Sequence, residues 1–324
     1  MVNIAKIGKF VTNVVKSSDK RKLICSTGGD RGIFLDAFKS YNSKPHMVNK
    51  LSKSVFSTSE QVLPKAKNVF EEMCDNLGIF NIRQKSLKKL KSKIPNALNE
   101  LSLSETTELF NKGGIKHLIG DGCGTRIVLN NAESRKELLS RLINAHKSGK
   151  ITLQKVENYH GKGIKPYLDN DDLMKLQELE YIDAFGRRQG VQIVDKIKEA
   201  GYTRVNMDLL VNGGRTEFQI GGKYTTRFGE VEHYLYDMRR KGSINLAKLS
   251  VAQKNLFNKM REKYLQIIKN PSQKDKYNDY LTNVWKSLKE AESGNIKFQF
   301  PELPIGLPKI LSAENLFKLE KGAM

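Results

Sequence analysis

The chain has 324 residues and 39% hydrophobic content, enough for one large domain or for a core domain with substantial flanks. No apolar run approaches the roughly 18 residues of a spanning helix, so membrane spanning is not expected. The 56 Lys+Arg against 35 Asp+Glu give a net charge of +21, which attracts phosphate-bearing partners such as nucleotides, nucleic acids and anionic lipids. A Lys-rich and Asn-rich composition bias would produce the same excess.

Residues 1–18 carry three Lys and no acid, with Ile4, Ile7, Val11 and Val14 on one helical face. This pattern fits a plain N-terminal helix, or a basic amphipathic anchor or transit segment; it lacks the apolar core and cleavage site of a secretory signal. Cys25, Cys74 and Cys123 are far apart without a C-x-x-C pair. Neither a disulfide framework nor a zinc site is indicated, and a reducing, cytoplasmic setting fits, with a toxin or secreted effector as the alternative.

A helix is expected from Pro64 to Leu77 on the spacing of Ala66, Val69, Phe70 and Met73, with Gly78 as its C-cap. The stretch "IFNIR" then reads as a strand. In "QKSLKKLKSKI", Leu87, Leu90 and Ile94 form one stripe and Lys85, Lys88, Lys89, Lys91 and Lys93 lie largely outside it, a basic amphipathic helix. "HLIGDGCGTRIVLNN" supplies a Gly-rich turn and a strand over Arg126–Leu129; a helix carrying Leu138, Leu139, Leu142 and Ile143 follows and closes at Gly149. "ITLQKVENY" reads as a strand, and Leu173–Ala200 as mostly helix interrupted near Gly186 and Gly190.

From Gly201 onward the signal sharpens. Val205, Met207, Leu209 and Val211 alternate with Arg204, Asn206 and Asp208; Asn212-Gly213-Gly214 turns the chain; Phe218 and Ile220 then alternate with Glu217 and Gln219. This is a two-faced hairpin whose polar face gathers Arg204, Asn206, Asp208, Glu217 and Gln219. An ordinary solvated sheet face would alternate in the same way. The next helix has an apolar side of Phe228, Val231, Leu235 and Met238, and on another side Glu230, His233 and Asp237, which either border the same site or are simply solvated. Helices over 249–269 and 277–292, the second holding Trp285, lead to "FPELPIGLPKIL", expected to lie extended on the surface.

Taken in order, Arg83/Lys85, Asp121/Gly124/Arg126, Gly201/Tyr202, Glu217/Gln219/Ile220 and His233/Tyr236 resemble the synthetase motifs of the RelA/SpoT-like nucleotidyltransferases over roughly residues 60–240. The resemblance implies an α+β fold, with a mixed, mostly antiparallel sheet and flanking helices in the nucleotidyltransferase manner. It implies a helical extension at 1–59, a synthetase domain at 60–242 and a C-terminal helical extension with an extended tail at 243–324. The implied reaction is Mg²⁺-dependent transfer of diphosphate from ATP to the ribose 3′-hydroxyl of a nucleotide or of an RNA end, transfer RNA included, with AMP released. By resemblance Asp121 binds Mg²⁺, Glu217 is the base or a second metal contact, and Gln219 orients it. Arg83 and Lys85 grip ATP, Tyr202 stacks on the acceptor base, and Ser86, Lys89, Arg126, Arg204, Asn206 and His233 complete the substrate-binding set. The C-terminal helices support oligomers in small members.

Three departures fall where the family recognises its acceptor: Arg204 replaces a Ser, Asn206 a His, and Gly221-Gly222 an Arg-Thr. The donor half is therefore better kept than the acceptor half. No His-Asp dipeptide occurs, so the hydrolase half of the long members is not expected. The alternative is a nucleic-acid-binding or effector protein that keeps the fold without turnover.

Overall fold

The architecture comes from a computed structural model, which describes residues 31–102, 119–183, 186–239, 249–294 and 298–319. The N-terminal segment 1–18 and Cys25 lie outside them. Helices α1 (Arg31–Asn42) and α2 (Pro45–Cys74) come first, then β1 (Gly78–Gln84) and α3 (Leu87–Glu100). The helix expected from Pro64 begins at Pro45, because Met47, Leu51, Val55 and Val62 continue its buried stripe toward the N-terminus. Pro64 is interior to it, and the boundary expected at 59/60 falls within the helix. Gly78 does not cap α2; it opens β1. A Cβ there would lie 2.1 Å from the Val128 carbonyl oxygen, so its role is to let two backbones approach.

The chain continues through β2 (Cys123–Leu129), α4 (Ala132–Lys147), β3 (Thr152–Gly161), α5 (Asn170–Gln177), β4 (Glu180–Ile182), β5 (Arg188–Gly190), β6 (Gln192–Lys198), β7 (Arg204–Val211) and β8 (Gly214–Gly221). Six strands form one sheet in the order β1-β2-β8-β7-β3-β6. The β2/β8 and β3/β6 pairs are parallel and the others antiparallel, so the fold is α+β with a mixed sheet flanked by helices. The β7–β8 turn uses positive φ at Asn212 (48°) and Gly213 (75°), as a tight hairpin requires. Its register pairs Asp208 with Glu217 and Asn206 with Gln219.

The expected helix over Leu173–Ala200 is corrected. Among its described residues only those in α5 are helical, and the β4–β5 ribbon and β6 occupy most of the remainder. Ile193, Val194 and Ile197 have helix-like spacing, yet β6 is an edge strand with Ile197 59% exposed. Pairing with β3, a contact distant in sequence, overrides the local pattern.

Helices α2 and α4 cover one face of the sheet. Phe70, Met73, Leu138 and Leu142 meet Ile127, Met207, Leu209, Phe218 and Ile220 there, and the Phe70 and Phe218 rings lie 4.8 Å apart. Each such buried side chain contributes about 1.5–3 kcal/mol. Free Cys74 and Cys123 are buried in this layer, where burial pushes their thiols up to about 12 and about 11.

A second core lies beneath α6 (Lys223–Arg239), α7 (Val251–Ile267), α8 (Pro271–Glu292), a 3-10 turn at Lys309–Leu311 and α9 (Ala313–Phe317). It includes Phe228, Val231, Leu235, Met238 and Trp285. The segment after Phe300 is not merely a surface strap, because Leu307 and Leu311 are buried in this core.

One junction ties the second core to the sheet. Glu292, at the end of α8, accepts from the Thr225 N–H (2.7 Å), the Thr225 hydroxyl (2.8 Å) and the Tyr167 hydroxyl (2.7 Å). The Gly222 N–H donates to the Tyr167 oxygen at 2.7 Å. Glu292 thus satisfies the open first turn of α6, where an anion is favoured. A Cβ on Gly222 would lie 2.2 Å from its carboxylate, which accounts for the second glycine of the Gly221-Gly222 pair.

Candidate active site

The sheet face opposite α2 and α4 is polar. Across it, Arg83 aligns with Gly124, Glu217, Asp208 and Lys155, while the next row runs Asn81, Arg126, Gln219, Asn206 and Glu157. Alternation on five strands therefore brings together residues separated by up to 138 positions, Asn81 to Gln219. A Cβ on Gly124 would meet only the Arg83 side chain at 3.9 Å and Glu217 Oε2 at 4.0 Å. Gly124 thus places no side chain between Arg83 and Glu217.

Asp121 lies beside this face, just before β2. Its carboxylate accepts from Lys85 Nζ at 2.5 Å and from Lys93 Nζ at 2.6 Å, and Lys85 also donates to the Asp121 carbonyl at 3.0 Å. Burial alone would raise the Asp121 carboxyl, but Lys85 and Lys93 outweigh it and hold it below its ordinary value. Burial is also the main influence lowering Lys85, with the Lys93 charge adding to it and Asp121 opposing.

Glu217 behaves in the opposite way. Burial raises its proton affinity first, the Asp121 and Asp208 charges raise it further, and Lys85 and Lys93 offset part of the effect. Asp208 is itself held by Arg215 at 2.7 Å. Two carboxylates on one face are thus pushed apart in protonation, a feature of acid–base sites.

Gln219 connects Glu217 to the cations. Its Nε2 donates to Glu217 Oε2 at 3.0 Å. Its Oε1 accepts from Arg126 Nε (3.1 Å), Arg126 Nη2 (2.9 Å) and Arg204 Nη1 (3.2 Å). Arg126 completes its fork on Glu230 of α6 at 2.6 Å.

The remaining expected residues divide into two groups. Arg83 is exposed at the edge of the face and Lys89 is exposed on α3. Ser86 is the N-cap of α3, its hydroxyl oxygen accepting from the Lys89 N–H at 3.4 Å, a structural task. Asn206 pairs in register with Gln219, and its Oδ1 is buried without a partner. His233 stands on the exposed side of α6, 6.1 Å from the Tyr236 ring. Tyr202 is half-buried between Tyr159 (6.0 Å) and the edge of Trp285 (5.6 Å), so its surroundings are largely aromatic. Arg204 is only 6% exposed.

Asp208 and Tyr159 belong to the same face and Lys93 reaches its edge at Asp121, without having been singled out as site residues. Asp208 was legible, since alternation alone puts it beside Asn206. Lys93 lies in the second turn of α3, whereas Lys85 precedes that helix, and nothing local marks the turn of Lys93 toward Asp121. Tyr159, with Lys198 Nζ 4.4 Å from its ring centre, depends on β3 lying beside β7.

Among the described residues no group of three or more His, Cys, Asp or Glu side chains is arranged to hold a metal. Mg²⁺ commonly takes only one or two protein carboxylates, keeps waters and uses substrate phosphates for the rest. Asp121, the carboxylate on which Lys85 and Lys93 converge beside the polar face, is the one ligand that such a limited demand needs. No helix among the described residues is long and apolar enough to cross a membrane. No known family model matches the chain, and no curated protein matches it.

Proposed function

We propose that the chain is a Mg²⁺-dependent diphosphotransferase that moves the terminal diphosphate of ATP to a ribose 3′-hydroxyl and releases AMP. The observation that carries the reading is the juxtaposition of Glu217, raised in proton affinity and oriented by Gln219, with Asp121 and the cations Arg83, Lys85, Lys93 and Arg126. In the transfer, a bond forms between the 3′-oxygen and the β-phosphorus. The bond from that phosphorus to the oxygen bridging the α-phosphate breaks, and its electron pair leaves with AMP. The hydroxyl proton passes to Glu217, for which a raised affinity is an advantage.

Arg83, Lys85 and Lys93 neutralise the triphosphate, Arg83 with a planar fork suited to phosphate oxygens. The missing side chain at Gly124 would let the diphosphate approach between Arg83 and Glu217. Asp121 would hold Mg²⁺, which when bound supplies further charge neutralisation on the phosphate oxygens, and Glu217 is left free to act as the base. The test is incubation with γ-labelled ATP and Mg²⁺ against GTP, GDP, ATP and total transfer RNA. Label transfer with stoichiometric AMP release supports the activity, and no transfer to any of the four rejects it for those acceptors.

A second reading, a nucleic-acid-binding or effector protein without turnover, is favoured by the internal neutralisation of the site cations. Lys85 and Lys93 both rest on Asp121, and Arg126 rests on Glu230. RNA binding without AMP release would select it.

A further inference from the structure

We propose that Arg204 is a positioning residue that acts through Gln219 on Glu217, and that it does not contact the acceptor; the proposal rests on the diphosphotransferase reading. Arg204 is an unusual side chain, a guanidinium 6% exposed whose partners among the described residues include no carboxylate. They are Gln219 Oε1 at 3.2 Å, the Thr226 carbonyl at 3.5 Å and the face of the Tyr202 ring at 5.7 Å. Burying a cation without an ion pair is unfavourable unless it has polar work to do. Glu230 and Glu232 of α6 balance its charge only at longer range.

The geometry identifies that work. A side-chain amide presents an oxygen on one side and an NH₂ on the other, and which faces which is set by the neighbours. Arg126 and Arg204 approach Gln219 from different strands and together place three donors on Oε1. The NH₂ must then face Glu217, where it donates at 3.0 Å. A flipped amide would set its oxygen against the carboxylate and its NH₂ against two guanidinium groups, both repulsive. Arg204 is in turn fixed by the absence of a side chain at Gly229, where a Cβ would lie 2.7 Å from Nη2. Arg204, Gly229 and Gln219 therefore form a support reaching Glu217 from beneath α6.

The test combines kinetics with a direct reading of Glu217 in the full-length protein. Arg204→Met removes both charge and fork, and Arg204→Lys keeps the charge without the planar fork. GTP and total transfer RNA serve as acceptors. Both variants should lower kcat by about tenfold or more while the apparent constants for ATP and acceptor stay within about twofold, the pattern of lost transition-state positioning. Independently of turnover, the ¹³C resonance of the Glu217 side-chain carboxyl, assigned by its loss in Glu217→Gln, should titrate at higher pH in both variants. That shift should disappear in a Gln219→Leu background, as a double-mutant cycle requires of an effect passing through Gln219.

A raised acceptor constant with unchanged kcat would make Arg204 a substrate contact and overturn the proposal. So would an unchanged Glu217 titration, or a shift of equal size without Gln219. Should Arg204→Met fail to fold, Gly229→Ala displaces the same guanidinium and carries the titration. A wild-type protein with no turnover defeats the diphosphotransferase reading alone, because the titration still decides whether Arg204 acts on Glu217.

Discussion

The Gln219 amide donates to the Glu217 carboxylate at 3.0 Å from a position only two residues further along the same strand. Side chains i and i+2 of a strand share a face, so the bond follows directly from the alternation in "TEFQI". It also gives Glu217 a hydrogen-bond donor that favours its ionised form, while burial and two nearby carboxylates favour the protonated one.

Glu217→Gln should abolish AMP release while leaving ATP affinity nearly unchanged. Because the folded protein holds the Glu217 proton more tightly than the unfolded chain, ionisation destabilises the fold as pH rises above the unfolded value. The Gln variant lacks that penalty. Its Tm relative to wild type should therefore be higher at pH 7 than at pH 4; an equal difference at both would remove the strain assigned to Glu217.

Asp121→Asn should lose activity and stability together, since it leaves Lys85 and Lys93 without their carboxylate. A loss of about 1–3 kcal/mol is expected for a partly buried, hydrogen-bonded pair. The sign with pH is opposite to that of Glu217. A lowered folded value gives stability that is complete above the unfolded value and disappears as pH falls through the folded one. Urea unfolding at pH 7 and pH 3 checks this: the gap between wild type and Asn should narrow in acid.

Glu232 offers a cleaner pH test away from the reacting groups. Burial pushes its carboxyl up to about 7, with Arg204 and Arg239 opposing. The resulting destabilisation should grow between pH 4.5 and pH 7. Glu232→Gln should stabilise the protein at pH 8 more than at pH 5, measured by Tm.

Gly124→Val should separate folding from binding. An added Cβ meets only ordinary contacts at 3.9–4.0 Å, and replacing a mid-strand glycine by a β-branched residue commonly gains up to about 1 kcal/mol. The branched side chain would project between Arg83 and Glu217. Unfolding and ATP titration should show unchanged or higher stability with at least tenfold weaker binding.

What could be read from the sequence was whatever a local period decides. The β7–β8 hairpin, its turn at Asn212-Gly213 and the apolar stripe of α6 follow from spacing, and the polar face followed with them. Contacts set by distant pairing did not. Ile193, Val194 and Ile197 looked helical until β3 supplied a neighbour, and the turn of Lys93 toward Asp121 depends on how α3 docks. Tyr202 and Arg204 were legible as residues on that face, but their burial comes from Trp285 and Gly229, on α8 and α6. Gly222 looked like a lost substrate contact, and only the arrival of Glu292 reveals the space it must keep.

Glu292 also bears on how the molecule can be divided. A fragment ending near residue 242 would retain every expected catalytic residue, yet it would bare Phe228, Val231, Leu235 and Met238 to water and leave the first turn of α6 without its anion. Since Glu230 projects from that helix to hold Arg126, trimming the C-terminal helices would loosen one wall of the site as well as promote aggregation. Recombinant work on the candidate site therefore needs the chain through at least Leu319, and limited proteolysis in the α7–α9 segment should disturb the Arg126–Glu230 wall before the sheet itself unfolds.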